Sequence, residues 1–353
     1  MEQLLEHLHL LPGAVDVDAV TVSDPTGAQR RWGGLIACLV VAVTCSACAP
    51  AASVPSPSGG EGTLASATPG PETQARSEDP RDVLDNGEYR ADGRFDLPVA
   101  DLGAGVRVYV VDTGVDPAGR IPVDDGYSAL PSDTSTVDCN GHGTHTAGLV
   151  ASSEFGLAQR AVVVPVRVMD CGGSGTRQTL TAGLRWVLTD SASHAAPSVV
   201  LMPLAGGVDS ADMHALMTAL NDAGVVVVTA AGNDREAGCQ PGSADRPGIT
   251  VGPATGDGRA SAWAATGECV DVYAPGEDVW STWLSTSDAH EQPLSGASQA
   301  AALVAGATAA ILGEHAGMTP DAVRAALTDG CETGIGDALS EGKLVCLPEL
   351  TRK

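Results

Sequence analysis

Apolar residues in this chain gather in short valine-rich runs, which are separated by longer segments of mixed polar and apolar residues. Unbroken apolar runs of this length are typical of strands buried on both faces of a parallel sheet. The pattern predicts strands over residues 106–111, 161–169, 198–204, 225–230, 249–252 and 270–273.

The segments between these strands have the amphipathic character of helices that pack against a sheet. They predict helices over residues 142–152, 179–191, 211–223 and 320–327, with one more directly after Ser298. This alternation indicates an α/β fold with a mostly parallel sheet covered on both faces. In such folds, functional residues gather at the carboxyl ends of the strands.

The predicted domain spans residues 99–353 and follows three segments of different character. Residues 50–98 are rich in Pro, Ser, Gly and Glu without a periodic apolar pattern, which predicts a disordered linker. Residues 30–49 combine two arginines, a short apolar run and small residues, as secretion signals do. Residues 1–29 are an unusual extension in front of a signal, so Met1 is interpreted as a candidate misassigned start.

The end of the signal-like segment allows three interpretations. Ala47-Cys48-Ala49 fits an ordinary cleavage site, whereas Ser46-Ala47-Cys48 resembles a lipoprotein processing site with Cys48 as the lipidated residue. An uncleaved anchor is the third interpretation. Each predicts that the rest of the chain lies outside the cytoplasm, either secreted or attached to the membrane through its N-terminal part.

Composition narrows the classes of function. Of the 353 residues, 43% are hydrophobic but only 3% are aromatic, so the core is built mostly from Ala, Val and Leu. The formal net charge of −25 argues against a nucleic-acid partner. An acidic surface instead suits a secreted protein, which we expect to be a monomer.

Three of the nine cysteines lie within residues 30–49. The others form an even number in a chain expected to be exported, which predicts disulfides. A metal cluster is the weaker interpretation, because the cysteines are widely spaced without a CxxC motif. These six cysteines are Cys139, Cys171, Cys239, Cys269, Cys331 and Cys346.

Ser298 follows a turn of small residues and precedes an apolar helix. At a helix N-terminus, unpaired N–H groups and the positive end of the dipole favour a developing negative charge. A serine there can attack a carbonyl while its own N–H helps to hold the oxyanion. By itself, however, this pattern is more often a simple helix cap.

Two further residues stand at chemically suggestive positions. Asp112 ends the first predicted strand, and His142 opens a helix between two glycines that let other segments approach its ring. Each alone would be interpreted as structural. His145 is expected to pack or form a hydrogen bond rather than react, and the HxxH pair lacks the intervening Glu of a zinc-protease motif.

Seven ordered segments give these residues a common context. They are VYVVDTGVD, NGHGTHTAGLVASSEFGLA, VPVRVMDCGGSG, VVVVTAAGND, ITVGPAT, CVDVYAPGEDVWSTW and SGASQAAALVAG. In this order they resemble the subtilisin-like serine proteases, and within them the proteinase K-like branch. The resemblance implies a three-layer αβα fold and an exported serine endopeptidase that cleaves polypeptides through an acyl-enzyme.

The resemblance also implies a role for each matching residue. Ser298 would be the nucleophile, His142 the general base, and Asp112 the group that orients the imidazole. The side chain of Asn233 and the N–H of Ser298 would bind the oxyanion. The implied substrate-binding residues are Pro203, Leu204, Ala205, Gly206, Ala230, Ala231 and Gly232. The implied disulfides are Cys139–Cys171 and Cys239–Cys269, which leaves Cys331–Cys346 as a local pair.

Two motifs depart from the family pattern. The nucleophile motif, usually G-T-S-M-A, is G-A-S-Q-A here, and the missing hydroxyl at Ala297 predicts weakened catalysis. The substrate-flanking motif, usually S-L-G-G, is P-L-A-G, and Ala205 predicts a narrowed specificity pocket. These departures keep an alternative open, namely a catalytically impaired relative that binds a peptide or a partner protein in the same groove.

No cofactor is expected to be required. Calcium often stabilises members of the family that this chain resembles, and four carboxylates are candidate ligands. They form no compact calcium-binding loop motif, so solvated surface carboxylates are the preferred interpretation and no metal site is assigned. These residues are Asp116, Asp124, Asp125 and Asp257.

Overall fold

The computed structural model describes residues 102–118, 120–204, 210–235, 247–256 and 258–328, together with three two-residue strands outside these ranges. The strands are β1 (Glu88–Tyr89), β2 (Phe95–Asp96), β3 (Arg107–Asp112), β4 (Tyr127–Ser128), β5 (Val162–Arg167), β6 (Ser198–Met202), β7 (Val225–Ala230), β8 (Ile249–Ala254), β9 (Val272–Pro275), β10 (Val279–Thr282), β11 (Glu291–Leu294) and β12 (Lys343–Leu344). The helices are α1 (His142–Ala151), α2 (Arg177–Ser193), α3 (Ala211–Asp222), α4 (Ala297–Glu314) and α5 (Pro320–Thr328). None of these helices has both the length and the apolar character needed to cross a membrane.

Eight strands form one sheet in which all neighbours run parallel. Their order is β12-β9-β8-β7-β6-β3-β5-β4. Parallel neighbours need crossover connections, and among the described residues helices lie in those that lead from β3 to β5, from β5 to β6 and from β6 to β7. The strand β3 lies between β5 and β6, so the chain changes direction across the sheet at this point. The predicted α/β fold with a mostly parallel sheet is confirmed.

Both faces of the central strands are apolar. On β3, Val108 and Val110 belong to one core, whereas Tyr109 and Val111 belong to the other. The first core is completed by α1 and α4, and the second by α2 and α3. This arrangement explains the unbroken apolar runs, because a strand covered on both faces has no polar side.

The helix α4 is buried on nearly all sides. It contacts the four neighbouring strands β6, β7, β8 and β9, and it also packs against α1. Its many alanines allow this close approach, and they explain why the sequence is almost uniformly apolar instead of amphipathic. The start of α4 is therefore held firmly against the carboxyl side of the sheet.

The structure contains strands that the apolar pattern did not predict. The antiparallel hairpin of β10 and β11 is one case, because its residues mix polar and apolar types without clear alternation. The strand β9 begins at Val272, two residues later than predicted. The cause is a turn in which the N–H of Val270 donates to the carbonyl of Gly267.

A short antiparallel pair, β1 and β2, lies inside the segment 50–98 that was predicted to be a disordered linker. The register places Tyr89 opposite Phe95, and aromatic residues have high strand propensity. Residues 1–87, which include the predicted signal and Cys48, lie outside the described residues.

One disulfide joins Cys139 and Cys171, as the family resemblance implied. Cys269 is also disulfide-bonded, but its expected partner Cys239 lies outside the described residues. Cys331 and Cys346 lie outside them as well. The described disulfide ties the loop before α1 to the loop after β5, and these loops flank His142.

Replacing Cys139 and Cys171 together with Ser is expected to lower the free energy of unfolding. The bond joins residues 32 positions apart in sequence, and closing a loop of this length contributes about 3–4 kcal/mol. Urea-induced unfolding under oxidising conditions measures the difference and leaves the disulfide of Cys269 intact in both proteins. A loss below about 1 kcal/mol would show that the loop is held by other contacts.

Candidate active site

Three neighbouring strands place the predicted site residues at one edge of the sheet. Asp112 is the last residue of β3, Pro203 directly follows β6, and Asn233 lies shortly after β7. In an open parallel sheet, ligands bind outside the carboxyl ends of strands where the strand order reverses. The boundary between β3 and β6 is such a point.

The carboxylate of Asp112 holds the ring of His142. The Nδ1 atom of His142 lies 2.8 Å from Oδ2 and 3.0 Å from Oδ1 of Asp112. The carboxylate is completely buried, and it also accepts hydrogen bonds from the Thr113 N–H at 2.7 Å and the Thr146 hydroxyl at 3.2 Å. Its negative charge raises the pKa of His142 above the ordinary value, although burial acts in the opposite direction.

Glycines on both sides of His142 allow this close packing. Gly141 has a φ of 106°, and a Cβ atom there would collide with the ring of Trp283. A Cβ atom on Gly143 would collide with the carbonyl oxygen of Gly114. Larger residues at either position would displace the start of α1 and therefore the imidazole.

Asp138 organises the same helix start, and the sequence analysis missed it. Its buried Oδ1 accepts hydrogen bonds from the N–H groups of Asn140 and Gly141 and from the Thr113 hydroxyl. Its Oδ2 accepts from both the N–H and the hydroxyl of Thr144. Asp138 thus joins the turn after Asp112 to the helix that carries His142. The available signal was an aspartate a few residues before a helix, which is a common N-terminal capping pattern.

Ser298 is the second residue of α4, so the prediction that it lies at a helix N-terminus is confirmed. Its hydroxyl donates to the carbonyl oxygen of Pro203 at 2.8 Å. A hydroxyl has one hydrogen, so in this rotamer Ser298 does not donate to the imidazole of His142.

Asn233 is oriented by the turn that precedes Ser298. Its Oδ1 accepts a hydrogen bond from the Ala297 N–H at 2.8 Å, and its Nδ2 group donates to no other described residue. A Cβ atom built on Gly296 would lie 2.7 Å from Gln299 Oε1, 3.4 Å from Asn233 Nδ2 and 3.7 Å from the backbone nitrogen of Ser298. Both nitrogens thus lie close to the turn at Gly296, beside the side chain of Gln299.

His145 takes no part in this cluster. It is fully buried, its Nε2 donates to the carbonyl of Gln292 at 3.0 Å, and its ring meets Trp283 edge to face. Burial lowers the pKa of His145 to about 4, so the ring stays neutral near pH 7. The expectation that it packs and forms a hydrogen bond is confirmed.

Of the remaining predicted substrate-binding residues, the structure describes some and not others. Ala230 and Ala231 directly precede Gly232 at the end of β7, beside Asn233. Ala205 and Gly206 lie outside the described residues, so the narrowing expected from Ala205 stays a prediction.

The candidate calcium ligands are not brought together among the described residues. Asp116 accepts hydrogen bonds from the N–H and hydroxyl of Ser285, and Asp124 pairs with Arg107 at 2.7 Å. These bonds lower the pKa of both carboxyl groups, although burial opposes the shift for Asp116. Asp125 is exposed, and Asp257 lies outside the described residues.

A cleft of about 610 Å³ opens beside the imidazole. His142 and Pro203 line it, together with the loop over residues 173–177. Ser298 is not among the lining residues, but its hydroxyl donates to the carbonyl of Pro203, which is one of them. A carboxylate-bound imidazole in a cleft, with a serine hydroxyl bonded to a residue of the cleft wall, can support nucleophilic attack on an acyl group.

Comparison with known proteins identifies the family in which this fold and site occur. A sequence model of the subtilase family matches residues 103–341. The chain belongs to the subtilase family, as its sequence motifs implied.

Individual relatives agree with this assignment. The chain is 40% identical over 252 residues to an extracellular serine proteinase of Thermus sp. (strain Rt41A), covering 70% of this chain and 59% of that protein. It is 38% identical over 238 residues to alkaline serine exoprotease A of Vibrio alginolyticus, covering 66% of this chain and 43% of that protein. It is 34% identical over 269 residues to a cuticle-degrading serine protease of Arthrobotrys oligospora (strain ATCC 24927 / CBS 115.81 / DSM 1491), covering 72% of this chain and 63% of that protein.

A solved structure shares the fold. The crystal structure of a cold adapted subtilisin-like serine proteinase superposes with a TM-score of 0.64 and 33% sequence identity. The match covers 73% of this chain and 93% of that one. The expected three-layer fold is thereby confirmed, whereas the chain spans only 43–63% of the length of the three relatives named above.

Replacing Asp138 with Asn is expected to lower the free energy of unfolding by about 2–3 kcal/mol, because an amide group would face buried donors that now meet a carboxylate. Urea-induced unfolding measures this loss. Asp170→Asn is a matched control, since Asp170 accepts the N–H groups of Gly172 and Ser174 in an exposed turn. Equal losses in the two variants would contradict the organising role of Asp138.

Proposed function

We propose that this chain is an exported serine endopeptidase that hydrolyses polypeptides through an acyl-enzyme. The observation that carries the proposal is the hydrogen-bonded pair of Asp112 and His142 beside a cleft whose lining residue Pro203 accepts a hydrogen bond from the Ser298 hydroxyl. The proteins to which this chain is similar are named as serine proteases, which supports the same activity.

In the proposed reaction, the Ser298 oxygen attacks the carbonyl carbon of the substrate while His142 Nε2 takes the hydroxyl proton. Asp112 holds Nδ1 and stabilises the imidazolium that forms. The imidazolium then gives its proton to the leaving amine, and the acyl group remains on Ser298. In the second half of the reaction, water attacks the acyl carbon while His142 takes a proton from it. The bond to Ser298 then breaks, the imidazolium returns the proton to the serine oxygen, and the acid is released.

The developing oxyanion would be held by Asn233 Nδ2 and the Ser298 N–H. Loss of one side-chain donor of this kind typically costs about 2.7–4 kcal/mol of transition-state stabilisation. The carbonyl of Pro203 has a further role in the proposal. A substrate N–H that donates to this carbonyl would displace the Ser298 hydroxyl and free it to turn toward His142.

Export is supported by two features. Residues 30–49 resemble a secretion signal, and the exposed disulfide of Cys139 and Cys171 suits an oxidising compartment. The relative from Thermus is named as extracellular. We infer that the mature chain acts as a monomer, either secreted or attached through Cys48 to a membrane surface.

One observation favours the alternative of an impaired relative that only binds peptides. In the described rotamer, the Ser298 hydroxyl is bonded to Pro203 instead of the imidazole. Because the pair of Asp112 and His142 is formed, and because the relatives named above are serine proteases, the enzyme is the better-supported function.

A fluorophosphonate probe tests the proposal on the full chain, because it reacts only with a serine that a neighbouring base activates. We expect labelling of the wild type, together with hydrolysis of casein. Labelling should be abolished in Ser298→Ala and slowed by at least about a thousandfold in His142→Ala, because members of a catalytic triad act as a unit.

Ser295→Ala is the matched control, since Ser295 is an exposed serine in the same turn and bonds Asp278 instead of the cleft. This variant should label like the wild type. Folded, disulfide-bonded wild-type protein that neither labels nor cleaves casein would contradict the proposal and favour the peptide-binding alternative.

A further inference from the structure

The cleft beside His142 continues past the catalytic residues along a second wall. Residues 173–177 form this wall, which ends at the first turn of α2. A peptide whose scissile bond lies at Ser298 must pass this wall, because a polypeptide extends about 3.3–3.4 Å per residue and outgrows the site within a few residues. A side chain of the substrate would therefore enter this part of the cleft.

The floor of this part is apolar. Val168 and Leu180 are buried beneath it, and Met169 and Leu204 lie half-buried at its sides. The wall itself contains Gly173 and Gly175, and Gly175 packs directly against Met169, since a Cβ atom built on it would lie 2.9 Å from Met169 Cγ. The cleft of about 610 Å³ presents this apolar floor to the aliphatic stem of a long side chain and favours its burial.

Arg177 supplies the only permanent charge among the residues that line the described cleft. The side chain is exposed, and no described residue forms an ion pair or a hydrogen bond with it. In contrast, Arg107, Arg120, Arg167 and Arg324 each pair with a carboxylate. The guanidinium of Arg177 is thus available to an incoming group.

The stability of α2 does not explain this arginine. Arg177 is the first residue of the helix, next to the capping residue Thr176, and the first turn contains no acidic residue. A positive charge at a helix N-terminus is unfavourable, because it meets the positive end of the dipole. An arginine at this position is better explained by what the cleft binds.

Resting on the protease function proposed above, we propose that Arg177 makes the enzyme select substrates with an acidic side chain at the position that fills this pocket. Glutamate fits best, since its stem reaches the apolar floor while its carboxylate meets the guanidinium. Arginine is suited to this role, because its planar donors can hold a carboxylate with two parallel hydrogen bonds.

The net charge of the whole chain opposes a preference for acidic substrates, so a preference for Glu must come from a local contact. A net charge of −25 attracts basic substrates over long distances. Asp170 lies shortly before the wall in sequence and does not line the described cleft, and its Oδ1 accepts hydrogen bonds from the N–H groups of Gly172 and Ser174. Salt screens distant charges beyond about 10 Å at 0.1 M ionic strength, so the direct contact with Arg177 decides the preference.

The experiment uses fluorogenic peptides that differ only in carrying Glu, Gln or Lys, placed in turn at each position on both sides of the scissile bond. With the full-length wild type, one position should show a kcat/KM for Glu about tenfold above that for Lys, with Gln between them. The reason is that an exposed guanidinium attracts the carboxylate of Glu and repels the ammonium of Lys. In 1 M NaCl the ratio should fall toward unity, because screening shortens to about 3 Å.

Variants assign the preference to this residue. Arg177→Gln should bring the ratio of kcat/KM for Glu over Lys close to one, and Arg177→Glu should make it smaller than one. Because each variant is compared with itself, a general loss of activity cancels in this ratio. Arg185→Glu is the matched control, because Arg185 is an exposed arginine of the same helix that does not line the cleft. Arg185→Glu changes the net charge as much as Arg177→Glu does, and it should keep the wild-type ratio of kcat/KM for Glu over Lys.

Two failures are distinguishable. Wild-type protein that cleaves the Gln peptides but shows no preference for Glu at any position, or a preference that survives Arg177→Glu, overturns the role of Arg177 alone. Wild-type protein that cleaves none of the peptides and does not react with the fluorophosphonate overturns the protease function, and the role of Arg177 with it.

Discussion

The buried hydrogen bond between Asp112 and His142 is the contact on which the rest of the site depends. A carboxylate with no solvent exposure is costly unless donors surround it, and here the imidazole, a backbone N–H and a threonine hydroxyl do so. The same contact fixes which ring nitrogen faces the cleft. Without it, the proposed reaction would lack an oriented base for Ser298.

The fold supplies this contact by placing a strand end against a helix start. Asp112 lies where β3 ends, and His142 lies where α1 begins, so the two are brought together by packing of the helix on the sheet. Asp138 strengthens the junction by bonding both sides of it. The hairpin of β10 and β11 holds the other side of α1, where the Ser281 hydroxyl donates to the carbonyl of His145.

The sequence predicts the sheet well because its central strands are buried on both faces, and unbroken valine runs are a strong signal for that environment. Through a family resemblance it predicts Asp112, His142 and Ser298 as one candidate site, since local pattern alone left each of them with a structural interpretation. An aspartate shortly before a helix signalled a capping role for Asp138, but its bond to the Thr113 hydroxyl and the pairing of Ser298 with Pro203 could not be predicted. Both depend on tertiary geometry, namely which donors surround a carboxylate and which acceptor a hydroxyl meets.

The central claim is that the charge of Asp112 holds and tunes the imidazole of His142. The most direct measurement is an NMR titration of the His142 ring in the wild type and in Asp112→Asn. The account predicts a wild-type pKa above 6.5, so the ring becomes a neutral base only as the pH rises through that higher value. In the variant the pKa should fall, because burial then acts without the opposing negative charge. A wild-type pKa at or below 6.5 that does not change in the variant would contradict the account.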